Sequence, residues 1–195
     1  KYLDIITSRF SSGYAGITEQ DKFQMIDKTG KKLKLPENVE LYVEFSEGIA
    51  PVKVRKINTY TNSKRETVSD TTYYLGLMNA AGKLITDSIN SGSGRMKIDK
   101  DYFLAANFSN GFAIVQHKFT DYNWYAGSFE SSEFAYLDKA GKLSGWFPSV
   151  RAFGKDQLAI VTKKGEYSAS FIDNQFNVIK SSVTVYDAGL FSEGL

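Results

Sequence analysis

The feature that most constrains the fold is internal repetition, because two short phrases of sequence alternate along the chain. The first runs from an aromatic residue through small polar residues and glycine to alanine, any residue, and valine or isoleucine. The second is an apolar residue, aspartate or asparagine, two further residues, glycine and lysine. Such alternating phrases are halves of one unit and indicate a tandem architecture. Copies of the first phrase lie at residues 10–17, 45–52, 108–115 and, in a looser form, 153–161; copies of the second begin at Ile26, Met78, Leu137 and, in degenerate form, Ile172.

The spacing of the phrases predicts one repeat domain over residues 1–195. Phe10 and Phe45 are 35 residues apart, as are Asp138 and Asp173, and longer intervals indicate insertions. We expect the last segment to pair with the first unit and close a ring, or to belong to a unit completed in a longer chain. The predicted units are approximately 10–44, 45–107, 108–152 and 153–190, with the start of a fifth at 191–195.

Each phrase predicts a local structure. Ala50, Val52 and Val54 alternate with Lys53 and Arg55, the period-2 pattern of a half-buried strand. In the second phrase the aspartate can accept backbone N–H bonds, and the glycine can adopt the positive φ that closes a turn. Each unit is therefore predicted to be a meander: a strand from phenylalanine to valine, a hairpin, an apolar strand ending at aspartate, a turn and a third strand.

The fold class follows from the size of these units. A piece of two or three strands cannot bury its apolar face alone, so neighbouring units must stack. Aromatic residues make up 14% of the chain and only three prolines occur, which favours sheet. We predict an all-β fold of tandem antiparallel β-meander or hairpin repeats, stacked as a solenoid-like or propeller-like array.

The two phrases together resemble the WG-repeat family, also called KWG repeats. Units of that family have the form Trp-Gly-x-Ile-Asp-x-x-Gly-Lys followed by Phe-Ser-Glu-Gly-Leu-Ala-x-Val, and residues 45–50 here are Phe-Ser-Glu-Gly-Ile-Ala. The copies in this chain are degenerate and lack the Trp-Gly dipeptide. The resemblance implies a β-repeat scaffold used for interactions, and it implies no reaction.

Insertions distinguish this chain from a bare scaffold. The segments between Val54 and Leu75 and between Val115 and Phe134 predict two long, projecting β-hairpins. A third insertion, residues 87–95, predicts a flexible loop that leads into an extra strand over residues 96–104. In the fourth unit, residues 163–166 predict a tight connection in place of a long hairpin.

The projecting hairpins carry the candidate binding residues, because insertions in repeat proteins often lie on the binding face. Exposed aromatic rings can stack on sugars or anchor a protein partner. The alternative is that these rings pack back onto the sheet or against the neighbouring insertion. Trp146 is predicted to pack in the core or at a strand end. The candidate ligand-binding or partner-binding residues are Tyr60, Tyr122, Trp124 and Tyr125.

The sequence offers little for catalysis or metal binding. It has no cysteine, and His117 is the only histidine, so thiolate and multi-histidine metal sites are excluded. His117 shares a strand face with Ala113 and Val115, which indicates an incidental strand histidine. We predict no catalytic residue, no metal ligand and no cofactor. The recurring residues Asp27, Asn79, Asp138 and Asp173 are predicted to form turns rather than a calcium site or a glycosidase pair.

Charge and hydropathy limit the partners. The formal charge is only +2, and the basic clusters at residues 31–34 and 53–56 are predicted to be solvated strand faces, so nucleic acid is not expected as a partner. No apolar run approaches the roughly 20 residues of a membrane helix, so no membrane span is expected.

These observations predict a non-catalytic β-repeat binding module for a protein or a glycan. Two alternatives stay open: a carboxylate-based glycan-active enzyme, and a structural spacer in a longer repeat array. Because the sequence starts at Lys1, we expect a removed leader or a fragment of a longer chain. We also expect export to a bacterial cell envelope or to the cell exterior.

Overall fold

The computed structural model describes residues 5–6, 9–19, 22–99, 101–125, 127–163 and 168–183. Within these ranges the chain forms fourteen β-strands in four antiparallel sheets and contains no helix. The predicted all-β class is confirmed. Stacking of the sheets as a solenoid-like or propeller-like array stays a prediction.

The chain divides into two compact units, Lys1–Asp99 and Lys100–Leu195, and the division falls inside the predicted repeat unit 45–107. The first unit contains two sheets, in each of which strands adjacent in sequence pair. Its first sheet comprises β1 (Ile5–Ile6), β2 (Tyr14–Glu19) and β3 (Lys22–Asp27). Its second sheet comprises β4 (Val39–Leu41), β5 (Ile49–Thr61), β6 (Thr67–Asn79) and β7 (Leu84–Thr86).

The second unit has the same construction. Its first sheet comprises β8 (Tyr102–Ser109), β9 (Phe112–Asn123) and β10 (Gly127–Asp138). Its second sheet comprises β11 (Ser149–Val150), β12 (Ala159–Thr162), β13 (Ala169–Ile172) and β14 (Val178–Val183). Each of the four sheets therefore contains one copy of each sequence phrase. The third strand predicted after the turn occurs in the second sheet of each unit, as β7 and β14. In the first sheets that order is wrong, because the third strands β1 and β8 come before the hairpin.

The alanine of the first phrase is a core residue in all four copies. Its side chain is fully or almost fully buried in each sheet, and the following valine or isoleucine is buried as well. Lys53 and Arg55, on the opposite face of β5, are only half-buried, so the predicted alternation is confirmed. The alanines are Ala15, Ala50, Ala113 and Ala159.

The second phrase forms the predicted turn. The Asp27 carboxylate accepts the backbone N–H groups of Thr29 (2.8 Å) and Lys31 (3.0 Å), and Gly30 has a φ of 82°. The side chains of Asn79, Asp138 and Asp173 accept two backbone N–H bonds in the same way. These four residues are therefore turn formers, as predicted from their fixed offset.

The first phrase is not one continuous strand, and that part of the meander prediction is wrong. Ser46 and Ile49 exchange backbone hydrogen bonds of 2.9 and 3.0 Å across a two-residue turn, in which Glu47 and Gly48 both have positive φ. This is the geometry of a type I′ hairpin turn, whose twist matches that of the flanking strands. Phe45 therefore lies before the turn, and β5 begins after it at Ile49. The corresponding pairs Ser12-Gly13 and Asn110-Gly111 also have positive φ.

These two-residue turns hold successive copies together. The residue after the turn glycine packs its ring on the phenylalanine that opens the next copy: Tyr14 on Phe45, with ring centroids 5.4 Å apart, and Phe112 on Phe153, at 4.2 Å. Hydrogen bonds follow the same route, since the Ser12 hydroxyl accepts the Gly48 N–H (2.8 Å) and the Asn110 amide donates to the Phe153 carbonyl (2.7 Å).

The two long hairpins are confirmed. β5 and β6 pair without interruption from Ile49 with Asn79 to Thr61 with Thr67, and β9 and β10 pair from Phe112 with Asp138 to Asn123 with Gly127. Both continue beyond the last residue that a third strand covers. The part formed by residues 57–71 is called the first ribbon, and the part formed by residues 118–132 the second ribbon.

The extra strand predicted over residues 96–104 is wrong in its bounds. Met96 and Ile98 bond to β6, through the Leu75 N–H and the Tyr73 carbonyl, while the strand that pairs with β9 begins only at Tyr102. The segment thus divides between two partners because the chain passes from one compact unit to the other. The predictions for residues 164–166 and 191–195 lie outside the described residues.

The core of the second unit is built on Tyr136. Its side chain is fully buried among the rings of Phe112, Phe147, Phe153 and Phe176, and its hydroxyl donates a 2.5 Å hydrogen bond to the Arg151 carbonyl. Burial raises the pKa of this phenol far above its ordinary value, so it stays a protonated donor.

Tyr136→Phe tests the contribution of this hydrogen bond. We expect the free energy of unfolding to fall by about 1 kcal/mol, because the packing survives while one buried hydrogen bond is lost. Urea denaturation measures the change. The control Tyr125→Phe removes an exposed hydroxyl and should shift stability by less than about 0.5 kcal/mol. Equal values for the two variants would contradict the assignment.

The turn carboxylates predict a pH dependence. Hydrogen bonds, first from the Thr29 hydroxyl to Asp27 and from the Asn177 backbone to Asp173, lower the pKa of both carboxyls. When the pKa of a carboxyl is lower in the folded than in the unfolded state, its ionisation stabilises the fold. This stabilisation is fully present above the unfolded-state pKa of about 3.9 and is lost as the pH falls through the folded-state pKa.

The double variant D27N/D173N should therefore lose less stability than the wild type between pH 6 and pH 2.5. Asparagine keeps the turn, as Asn79 shows in the second sheet. Urea midpoints across this pH range measure the effect. D70N, which changes an exposed carboxylate of β6 outside the turns, should follow the wild-type curve.

Candidate functional site

The four aromatic residues predicted from the sequence are all exposed. Tyr122, Trp124 and Tyr125 expose 70%, 73% and 81% of their surface at the end of the second ribbon, and Tyr60 exposes 56% on the first ribbon. The alternative that these rings pack back onto the sheet is therefore wrong. Tyr60 belongs to the first compact unit and the other three to the second.

The turn at the end of the second ribbon fixes the position of two of these rings. The Asn123 side chain accepts the Tyr125 backbone N–H at 2.9 Å, and Gly127 closes the pairing with a φ of 76°. Trp124 and Tyr125 occupy the turn, with ring centroids 3.7 Å apart. The rings of Trp124 and Tyr125 thus form one compact aromatic cluster on a hydrogen-bonded turn, which we call the knob.

Further rings lie on both faces of the ribbon. Tyr122 pairs with Ser128 and Phe129 pairs with the neighbouring residue Asp121, so the two rings point to opposite faces. Phe129 exposes 43% of its surface. We call Tyr122, Trp124, Tyr125 and Phe129 the ribbon end. Sequence reasoning missed Phe129, although it lies in the same projecting insertion as Tyr122, Trp124 and Tyr125.

The ribbon end carries no formal charge. Asp121 and Glu130 bound a stretch of eight residues, 122–129, that contains no acidic or basic side chain. Half of these eight residues are the aromatic ones of the ribbon end. Exposed aromatic rings in an uncharged segment are typical of contact surfaces, because water solvates them poorly.

The base of the second ribbon is an aromatic cluster around His117. The imidazole stacks on Tyr102, with centroids 4.2 Å apart and planes 6° apart, and contacts Phe119 and Trp146 at 5.4 and 5.7 Å. Its Nδ1 lies 2.9 Å from an Oε1 of Glu133 on the opposite strand. His117 is thus a strand residue, as predicted, and its packing against Tyr102 and Trp146 was not predicted. The cluster anchors the ribbon to its sheet.

The first ribbon differs from the second in its chemistry. The turn at its end has charged side chains, Lys64, Arg65 and Glu66, and no ring among the described residues contacts Tyr60. Tyr60 pairs with Val68 one pair before the end of the ribbon, the register position that Tyr122 has in the second ribbon. Tyr60 is therefore a single exposed ring, whereas the ribbon end concentrates four.

Two acidic side chains form ion pairs with lysines. Lys32 pairs with Glu19 and lowers the pKa of that carboxyl, and Lys56, at 2.8 Å, does the same to Asp87. No group of three or more histidine, aspartate or glutamate side chains that could hold a metal ion occurs in the described part of the chain. The basic residues Lys32 and Lys56 thus act in intramolecular ion pairs.

Comparison of the chain with protein-family models, with curated proteins and with solved structures finds no match. Membership of the WG-repeat family therefore stays a prediction, as does export to the cell envelope or exterior. Within the described ranges, no helix is long and apolar enough to cross a membrane.

The exposure of Trp124 can be measured directly, since the chain has only two tryptophans. In the variant Trp146→Phe, the fluorescence of Trp124 should be quenched by iodide nearly as strongly as that of free tryptophan. In Trp124→Phe, the half-buried Trp146 should be quenched less. Equal quenching in the two variants would show that Trp124 is covered.

Proposed function

We propose that the protein is a non-catalytic binding module whose ribbon end inserts into a cleft of a protein partner. The observation that carries this proposal is the exposure of 70–81% at Tyr122, Trp124 and Tyr125, on a hydrogen-bonded turn without charge. Exposed tyrosine and tryptophan side chains are the residues most enriched at binding hot spots.

The arrangement of the rings favours a protein cleft over a glycan. A sugar chain stacks against an open ring face, usually from one side, whereas Tyr122 and Phe129 point to opposite faces and the knob of Trp124 and Tyr125 lies at the turn. A partner must surround the ribbon to cover all four rings. A cleft between secondary-structure elements can do so.

The rigidity of the ribbon supports tight binding at low entropic cost. Twelve consecutive residue pairs hold β9 and β10 together, and the Asn123 side chain fixes the turn. The aromatic cluster of Tyr102, His117 and Trp146 stabilises the base. A preordered contact surface loses little conformational freedom on binding, which leaves more of the interaction energy for affinity.

The two alternatives receive less support. A glycan hydrolase needs a carboxylic acid with a raised pKa, and Glu19, Asp27, Asp87 and Asp173 do not fit that role, because hydrogen bonds or ion pairs lower their pKa. A structural spacer needs no exposed aromatic cluster, and such a cluster is a liability for solubility unless a partner covers it.

The experiment compares two variants of the full chain. The first, Y122A/W124A/Y125A, truncates the ribbon end; the second, I57A/Y60A, truncates two exposed apolar side chains of the first ribbon. Proteins captured by the wild type from an extract are identified, purified and measured singly by calorimetry. Circular dichroism and urea midpoints check that both variants are folded.

We expect the ribbon-end substitutions to weaken binding of the purified partner at least about 30-fold. This factor corresponds to the loss of one hot-spot residue that contributes about 2 kcal/mol to binding. The first-ribbon variant should bind within about 2-fold of the wild type. Equal affinity of the ribbon-end variant and the wild type would reject the proposal. Binding to a glycan array that depends on the ribbon end would replace the protein partner with a glycan.

A further inference from the structure

The first compact unit contains a groove of about 520 Å³ that is separate from the ribbon end. Its lining comes from β3, from β4 and from the segment between these two strands. We call this groove the edge groove. Apolar side chains dominate the lining: Phe23, Met25, Leu33, Leu35, Val39 and Leu41, with Lys22, Gln24 and Glu40 as the polar members. A volume of this size lies within the range of ligand sites.

The lining shows that the groove follows strand edges and not a sheet face. Residues 22–25 of β3 and 39–41 of β4 line it consecutively. Because successive side chains of a strand point to opposite faces, a groove that touches every residue in turn runs along the edge. β3 and β4 are indeed the outer strands of their two sheets.

Some backbone groups on these edges lack partners, although residues 31–33 cover the part of the β3 edge at Met25 and Asp27. Leu33 donates to the Met25 carbonyl, so the odd-numbered residues of β3 direct their N–H and C=O groups away from β2. For Phe23, no hydrogen bond to these groups exists in the described part of the chain.

The edge of β4 has the same property. Arg55 donates to the Asn38 carbonyl and Tyr42 donates to the Pro51 carbonyl, which places the N–H and C=O groups of Leu41 on the side away from β5. These groups also lack a backbone partner within the described ranges, although Leu41 exposes only 9% of its surface. Buried backbone groups are nearly always paired, with protein or with water.

We propose that the edge groove binds an extended peptide segment of a partner protein by β-strand addition. The peptide's N–H and C=O groups pair with those of Phe23 and Leu41, and its apolar side chains, at every second position, pack on the half-buried Leu33 and Leu35. Main-chain bonds supply affinity and the side-chain contacts supply specificity in this mode of recognition. The proposal is independent of the ribbon end.

An extended peptide fits these observations better than other ligands of the same size. A lipid chain would fill the apolar groove and cover the backbone groups of Phe23 and Leu41 without giving them hydrogen-bond partners, which is unfavourable. A sugar would pair with them and leave the apolar lining exposed to polar groups. A β-strand satisfies both requirements.

The test uses the full chain labelled with ¹⁵N and an acetylated, amidated probe peptide, Lys-Val-Thr-Val-Thr-Val-Glu. The matched control peptide has the same sequence with the three central backbone nitrogens methylated, which keeps the side chains and removes the donors. Chemical shifts and hydrogen exchange of the Phe23 and Leu41 amides are followed up to about 1 mM peptide, where an interaction of about −4 kcal/mol is half-saturated.

We expect saturable downfield shifts and slowed exchange of the Phe23 and Leu41 amide protons, and at least about tenfold weaker binding of the methylated peptide. The variant L35K should weaken binding of the probe, and I85K, at an exposed position of β7, should leave it unchanged. The binding result for L35K is used only if its urea midpoint shows that the variant is folded. If it is not folded, the methylated peptide still tests the proposal on the wild-type protein.

Three results would overturn the proposal. No saturable shift at these two amides would mean that the groove does not bind a strand. Equal affinity of the methylated peptide would mean that the groove binds apolar groups without backbone pairing. Slow exchange without peptide that depends on protein concentration would mean that a second copy of the chain occupies the groove.

Discussion

The fold depends on one packing interaction, in which a ring presented by a two-residue turn covers the phenylalanine of the next copy. Tyr14 on Phe45 and Phe112 on Phe153 are two instances of the same contact. It requires positive φ at both turn residues, because only that turn places the ring next to a strand of right-handed twist. It joins sheets that could not bury their own apolar faces alone. Two of the four copies of the first phrase, one in each compact unit, make this contact.

Both ribbons follow from the same construction. A third strand stops covering the hairpin near Arg55 in one unit and near His117 in the other, and the register of the pair simply continues outward. Only the ending differs: Asn62 closes the first ribbon with charged neighbours, and Asn123 closes the second with aromatic ones. The scaffold therefore supplies rigidity, and the few residues at each end determine what the ribbon can contact.

The sequence predicted the elements whose causes are local. The period-2 pattern at Ala50 and Val52, the Asp27 turn and both long hairpins depend on neighbours in the chain. At Glu47 the type I′ turn was missed because glutamate gives no signal for a φ of 51°, although the corresponding pair Asn110-Gly111 is the one that type I′ turns prefer. The aromatic candidates were predicted from their type, but their exposure depends on where the third strand ends. The edge groove depends on two strand edges that only the tertiary structure brings together, so no pattern near Phe23 or Leu41 indicates it.

Phe176 occupies the turn position that glycine holds in the other copies of the second phrase, with a φ of 68°. This conformation costs a residue with a side chain about 1–2 kcal/mol. The Phe176 ring stacks on Tyr136 and contacts Phe112 and Phe153, so distant aromatic neighbours offset the local strain. The turn closed by Gly30 is encoded by adjacent residues and can form in a short peptide. The stability of the fourth turn therefore depends on ring contacts with residues distant in the chain as well as on the local hydrogen bonds of Asp173.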